Sequence, residues 1–173
     1  MINLATCEPL IRVEPKIITI MHSEIAGWVS QSEKVTAFFG HWPSFHDAEV
    51  VELSLWRGRI REEENEYIFP ALTLKLHHWL LTNKTDAQGS LVTEKHAVTT
   101  FRFDGLEDFH ADGFNHQNAI FSLLIEKKKK TDSETCYYFV KLEPSFGIDA
   151  QFICSGITVV ESLATDKDGN LVE

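Results

Sequence analysis

The chain has 173 residues, of which 43% are hydrophobic, so it is long enough for one domain with a packed core, and intrinsic disorder is not expected. Its 26 acidic residues outnumber its 16 lysines and arginines, which gives a formal net charge of -10. This balance argues against nucleic-acid binding, which depends on neutralising phosphates, and favours attraction to a basic partner. A single domain is expected over residues 1–173, with a core at 16–162 and a polar, frayed tail at 163–173.

The start of the chain predicts a cytoplasmic protein without a membrane partner. No basic region is followed by an apolar stretch, so there is no secretory signal, and no apolar run approaches the roughly 20 residues that span a bilayer. The cysteines Cys7, Cys136 and Cys154 are widely spaced and form no C-x-x-C pair, which excludes a zinc ribbon and favours a reducing compartment.

The first elements along the chain are short. Ile17–Met21 is typical of an apolar strand, and Ser23 and Ser32 are candidate caps of one or two short helices. The clearer helix begins after Ser32 and ends at Gly40, because glycine readily adopts the left-handed conformation that ends helices. Its apolar side chains recur at helical spacing and are Val35, Phe38 and Phe39.

After this helix the hydrophobic pattern changes to a period of two, which predicts strands. The alternation covers residues 48–56, 70–80 and 96–103. The side chains predicted to share one face are Val51, Leu53 and Leu55 in the first segment, Leu72, Leu74, Leu76, His78 and Leu80 in the second, and Ala97, Thr99, Phe101 and Phe103 in the third.

The second half of the chain continues in the same style. Asp104-Gly105 is a hairpin signal, with Leu106–Ala111 as the expected return strand. Further strand-like segments follow at 118–126, 136–143 and 150–161. About seven to nine strands result, joined by turns and not by helices. The predicted fold class is therefore mainly β, bordering on α+β, as an antiparallel sheet, sandwich or partly closed barrel with one or two short N-terminal helices.

A histidine and two carboxylates stand together just before the first of these strands, and a metal site would need three or four such ligands to converge. Asp47 and Glu49 would share a strand face, and His78 completes the best three-ligand set if the two strands are neighbours. No H-E-x-x-H or similar signature occurs, so neither metal nor cofactor is predicted. A metal-dependent hydrolase using these three residues is the alternative function, and a small-molecule binding module with Trp56 or Trp79 in a pocket is another.

The interpretation that the residues favour for this segment is architectural. Pro43 restricts Trp42 to an extended conformation, and Trp42 and Phe45 can then bury against the end of the helix. Asp47 can accept backbone hydrogen bonds in the turn or pair with His46. The segment is therefore predicted to fix the angle between helix and sheet.

Two acidic segments are candidates for a binding surface. Solvated loops are the plain interpretation, and contact with a basic partner is the more specific one. The residues are Glu62, Glu63, Glu64 and Glu66 in the first segment and Glu107, Asp108 and Asp112 in the second.

Two motifs carry a family resemblance. A helix ending in F-G, then W-P-S-F-H-D-A-E and a strand, is formed by Phe39, Gly40, Trp42, Pro43, Ser44, Phe45, His46, Asp47, Ala48 and Glu49. A later F-N-x-Q-N run is formed by Phe114, Asn115, Gln117 and Asn118. With these motifs the chain resembles the immunity protein 50 family of bacterial polymorphic toxin systems, over residues 30–162.

The resemblance implies a single-domain cytoplasmic protein that binds a cognate toxin and neutralises it stoichiometrically. It implies no enzymatic activity and supplies no catalytic residues. A small, acidic, mostly β domain suits a basic toxin, whose encounter it would accelerate electrostatically. The oligomeric state is left open.

Overall fold

The computed structural model describes residues 23–61, 63, 65–131 and 134–172. In this part of the chain, ten strands form antiparallel sheets alongside two short helices, which confirms the predicted mainly β class. The strand predicted at Ile17–Met21 lies outside the described residues, as does Cys7. Across the described ranges, no helix combines the length and apolar character that a membrane crossing requires.

The helices are α1 at residues 23–28 and α2 at Glu33–Phe39. The strands in chain order are β1 (Glu49–Trp56), β2 (Arg59–Arg61), β3 (Glu66–Ile68), β4 (Ala71–Thr85), β5 (Leu91–Asp104), β6 (Glu107–Asp112), β7 (Ile120–Lys129), β8 (Cys136–Pro144), β9 (Asp149–Cys154) and β10 (Gly156–Ala164).

Two four-stranded sheets share one hydrophobic core. The first sheet has the strand order β1-β4-β5-β10, the second has the order β6-β9-β8-β7, and all neighbours run antiparallel. Phe103 of the first sheet meets Phe152 of the second edge to face, with ring centroids 4.9 Å apart, and both belong to one core cluster. The sheets do not close into a barrel. β2 and β3 pair only with each other as a separate hairpin.

β4 and β5 supply the centre of the first sheet, and their predicted alternation is confirmed. Burying each large apolar side chain contributes about 1.5–3 kcal/mol relative to exposure, so these two strands account for much of the core. The side chains at most 1% exposed are Leu72, Leu74, Leu76 and His78 in β4 and Ala97, Thr99, Phe101 and Phe103 in β5.

β1 does not follow its predicted alternation. Val50 is buried and Val51 is exposed, because the register shifts at a β-bulge between Val50 and Glu52. Leu53 then pairs with Leu74 and is only partly buried, and Leu55 is exposed. The prediction that Val51, Leu53 and Leu55 share one face is therefore wrong, because one extra residue in a strand reverses the alternation of its side chains.

Asp104-Gly105 is a crossing between the sheets and not a hairpin. β5 pairs with β4 and β10, whereas β6 pairs with β9 in the second sheet. The segment predicted at 150–161 crosses in the same way, between β9 and β10 at Ser155. The Ser155 N–H donates to the Asp104 carbonyl over 2.9 Å, and its Oγ donates to the same oxygen over 3.1 Å. The two crossings, at Gly105 and at Ser155, therefore lie side by side.

α2 packs near β5 and β10 and ends as predicted. Gly40 has φ +86°, and its N–H donates to the Thr36 carbonyl over 2.7 Å. Ser32 occupies the N-cap position without a side-chain capping bond, so the predicted cap is wrong in that respect. Val35 and Phe39 bury the inner side of the helix.

Residues 165–172 form a turn that follows β10 and is linked to β5, while the fraying expected of the tail stays a prediction. Thr165 donates its N–H to the His96 carbonyl over 2.9 Å, and Gly169 donates to the Asp166 carbonyl over 3.2 Å. The turn lies against His77, because a Cβ on Gly169 would be 3.5 Å from His77 Nδ1.

Candidate functional site

The segment after α2 lies against the inner face of β4 and β5. Trp42 and Phe45 are 4% and 3% exposed, with ring centroids 5.5 Å apart. Both rings also contact Phe101, at 6.1 and 5.6 Å. Phe45 adopts φ +56°, an uncommon conformation for a residue with a Cβ. These aromatic side chains are thus part of the core and not of a surface site.

His78 is a core residue held by aromatic rings. Its ring stacks on Phe39 with centroids 4.6 Å apart and contacts Phe45 at 4.8 Å. Nε2 lies 2.8 Å from the Thr99 hydroxyl. Burial, and secondarily the charge of His77, lowers the pKa of His78 to about 3, so the imidazole is neutral at physiological pH.

The two remaining members of the alternative metal set lie elsewhere. Asp47 pairs with His46 over 3.3 Å, with both side chains about half exposed, and the His46 ring contacts Phe121. Glu49 Oε1 accepts the Asn118 N–H. Asp47, Glu49 and His78 are therefore not brought together, and the described residues contain no group of three or more His, Cys, Asp or Glu that could hold a metal ion.

The two sequence motifs meet at a junction between the sheets. The start of β1 pairs with the start of β7, because Val50 donates to the Asn118 carbonyl and Ile120 donates to the Ala48 carbonyl, both over 2.9 Å. The Asp47 N–H donates to the Ile120 carbonyl over 3.0 Å. Backbone hydrogen bonds therefore link one edge of the first sheet to the second.

Asn118 organises the second motif from within. Its side chain is 3% exposed; its Oδ1 accepts the Asn115 N–H over 2.9 Å and its Nδ2 donates to the Asn115 carbonyl over 2.7 Å. The backbone of Gly147 passes so close that a Cβ there would lie 2.8 Å from Asn118 Oδ1. Asn118 thus holds a loop in place, whereas Phe114 is 56% exposed.

The structure describes five of the seven acidic residues predicted to contact a partner. Glu62 and Glu64 lie outside the described residues. Glu63 is exposed, and Glu66 forms an ion pair with Arg61 over 3.6 Å. Exposed positions on β6 complete the set and are Glu107, Asp108 and Asp112.

The hairpin that carries the first acidic segment is linked to the start of the second. The Leu106 N–H donates to the Pro70 carbonyl over 2.9 Å. Pro70 lies two residues after β3, and Leu106 directly precedes Glu107. We call this region the acidic corner, comprising the β2–β3 hairpin and the start of β6.

A groove runs along the outer face of the second sheet from this corner. Two concavities, of about 450 and 260 Å³, share His110 and Gln151 in their lining. Asp112 of β6 lies opposite Asp149 of β9 in the strand register, and both residues line the larger concavity. Asp108, with φ +50° at a bulge, lines the smaller one.

The groove is lined by residues that the sequence analysis did not single out. The alternation of exposed and buried residues along β9 could have identified two of them. Asp149 and Gln151 alternate with buried Ala150 and Phe152, so period two alone places them on the exposed face. His110 lies opposite Gln151. Among the described residues that line the two concavities there is no lysine or arginine.

The tryptophans proposed for a small-molecule pocket have other contacts. Trp56 lies under the Arg102 guanidinium, 5.9 Å from the ring centroid. Trp79 contacts His77 and His96 at 5.3 and 5.6 Å, where burial lowers the pKa of both histidines. Neither tryptophan lines the two concavities.

The comparisons with known proteins give one match. No curated protein and no solved structure matches the chain. The family model described as Immunity protein 50 matches residues 31–164, which is most of the chain and includes both motifs that meet at the junction. The chain therefore belongs to the immunity protein 50 family.

Proposed function

We propose that the chain neutralises a cognate bacterial toxin by binding it stoichiometrically in the cytoplasm, without catalysis. The observation that carries this proposal is the family match over residues 31–164, since an immunity protein implies a toxin as partner. Inhibition would consist of covering the surface that the toxin uses. The fold suits that role because its exposed side chains stand on packed sheets, so little conformational entropy is lost on binding.

The charge distribution supports a toxin with a basic surface. The formal net charge of -10 would steer such a partner toward the molecule and raise the association rate. Among the described residues, Glu107, Asp108 and Asp149 form no ion pair. Lysines or arginines of a toxin would therefore meet carboxylates that are not already neutralised.

The acidic corner and the adjoining groove are the proposed contact region. The Leu106–Pro70 hydrogen bond links the base of the hairpin to the start of β6, which supports one contact region built from both segments. The proposed contact residues are Glu62, Glu63, Glu64, Glu66, Glu107, Asp108 and Asp112. The groove adds His110, Asp149 and Gln151.

A genetic selection identifies the toxin for this test. Inducible expression of coding fragments from the source genome yields clones that stop growth, and those rescued by co-expression of this chain encode candidate toxins. The rescued toxin is then purified in inactive form, and its association rate with the chain is measured at low and moderate salt. Absence of any rescued clone would contradict the proposed function.

The variant for the rate measurement reverses four charges in the hairpin: Glu62→Lys, Glu63→Lys, Glu64→Lys and Glu66→Lys. We expect association at least about tenfold slower at low salt, with a smaller effect as salt screens the charges. The matched control reverses four exposed glutamates elsewhere, Glu24, Glu33, Glu94 and Glu134, for the same change in net charge. Equal slowing in both variants would show that net charge acts, and not the acidic corner.

A further inference from the structure

The β2–β3 hairpin exposes large apolar side chains at a density unusual for a monomer surface. Ile60 is 67% exposed and Phe69, just after β3, is 69% exposed. Single exposed apolar residues need no explanation, but a contiguous group marks an interaction surface. The other members of the group are Trp56 at 40%, Tyr67 at 56% and Ile68 at 39%.

The hairpin side chains of this group are not buried in the core. β2 and β3 pair only with each other among the described strands, and an isolated two-stranded hairpin is at best marginally stable in water. Ile60 lies opposite Tyr67 on one face of the hairpin, and Arg59 lies opposite Ile68 on the other. Because side chains on both faces of the hairpin are exposed, neither face of the hairpin packs against the two four-stranded sheets.

The base of the hairpin is nevertheless attached to the rest of the molecule. Gly58 has φ +82° and lies so close to β3 that a Cβ there would be 2.1 Å from the Ile68 carbonyl oxygen, which keeps the two hairpin strands together. At the same end of the hairpin, the Pro70 carbonyl accepts the Leu106 N–H and links it to the start of β6. A segment attached in this way loses less entropy on binding than an unattached one.

The residue types are those that dominate binding hot spots. Tryptophan, tyrosine and arginine are enriched there, and the hairpin adds Arg57 and Arg59, which form no ion pair with described residues. The hairpin also carries the charged side chains of Glu63 and of Glu66, which pairs with Arg61. An apolar centre with a charged rim is the usual anatomy of a protein interface.

We infer that the hairpin is the anchor of the toxin complex: Ile60, Tyr67 and Phe69 insert into an apolar pocket of the toxin. The inference rests on the proposed function. Charge favours a basic toxin as the occupant over a second copy of the chain, because two molecules of net charge -10 repel each other. The acidic residues then set the rate of encounter, and the hairpin sets the lifetime of the complex.

The test uses the full chain and the toxin identified by rescue. The double variant Ile60→Ser with Phe69→Ser should dissociate from the toxin about 100-fold faster, because the apolar centre of an interface carries most of its binding energy, while the association rate changes by less than about threefold. The control, Leu91→Ser with Leu171→Ser, alters side chains that are 56% and 65% exposed elsewhere and should leave both rates unchanged. Since all four side chains are exposed, thermal unfolding midpoints should stay close to wild type.

Each remaining outcome decides between alternatives. Wild-type dissociation rates for the hairpin variant would overturn the inference while leaving the proposed function intact. A wild-type dimer in light scattering that the hairpin variant converts to a monomer, with toxin binding retained, would assign the hairpin to self-association instead. Failure of any toxin to be rescued would contradict the proposed function and, with it, this inference.

Discussion

His78 shows how far a single residue can be predicted from its strand. The alternation along β4 predicts its inward position correctly. The aromatic rings that enclose it could not be predicted, because they depend on the turn at Phe45 with φ +56° and on the packing of α2. Because His78 is buried and Asp47 remains at the surface, these two side chains do not form the alternative metal site.

Acid should destabilise the protein through His78. Its folded pKa of about 3 lies below the unfolded value near 6.5, so the unfolded state binds more protons between these values. The contribution of this residue is complete above about pH 6.5 and falls by about 1.4 kcal/mol per pH unit as the pH drops toward 3.

Denaturant unfolding between pH 7 and pH 4 would measure this loss in the wild type and in His78→Gln, which keeps a polar partner for Thr99. The variant should show the shallower pH dependence of the unfolding free energy. His77 and His96 titrate in both proteins, so the difference isolates His78. Identical slopes would contradict the assignment.

At the scale of elements, short strands and crossings were the features that sequence patterns did not reveal. β2 and β3 have three residues each, too few for a period to be recognised. The Asp104-Gly105 pair is typical of a tight hairpin and therefore predicts β6 beside β5. Ser155 is a weak turn signal, so residues 150–161 have the pattern of one strand.

Gly58→Ala should weaken the pairing of β2 with β3. The added Cβ would meet the Ile68 carbonyl in addition to the strain of a left-handed residue, roughly 1–2 kcal/mol. Hydrogen exchange at Arg59–Arg61 and Glu66–Ile68 should then accelerate at least about tenfold, because local opening becomes easier.

Gly89→Ala is the matched control for this variant. Gly89 has φ +85° but no atom within 4 Å of an added Cβ, so it carries the backbone strain without the collision. Its hairpin exchange should equal that of the wild type. Equal acceleration in both variants would mean that the close contact at Gly58 does not hold the two hairpin strands together.

Because the two sheets share one core, we expect the whole molecule to unfold as one cooperative unit. The mainly β class follows from alternation and turns, but the division into two sheets and the strand order do not. They depend on contacts such as Phe103–Phe152 and the β1–β7 junction, which join residues far apart in sequence. The charge of the proposed contact region is visible in the sequence, whereas its apolar side chains required the exposure of each residue.

Phe152→Ala should therefore destabilise both sheets together, by about 3–5 kcal/mol as for other large-to-small core changes. All four tryptophans, Trp28, Trp42, Trp56 and Trp79, precede the second sheet in the chain, so their fluorescence reports on the other part of the molecule. The urea midpoint read from tryptophan should shift as much as the circular dichroism midpoint.

Phe121→Ala is the control, because Phe121 also lies in the second sheet but is 57% exposed. Its midpoint should change little. An unshifted tryptophan midpoint in Phe152→Ala would mean that the two sheets unfold independently.

The crossings at Gly105 and Ser155 have a consequence for synthesis. The whole second sheet, β6 to β9, is translated between β5 and its neighbour β10. On the ribosome, β5 therefore waits with one edge unpaired until an entire sheet has emerged, and pairing over such sequence distances is slow. A cell that needs rapid protection would depend on a standing supply of folded molecules, and not on new synthesis at the moment of challenge.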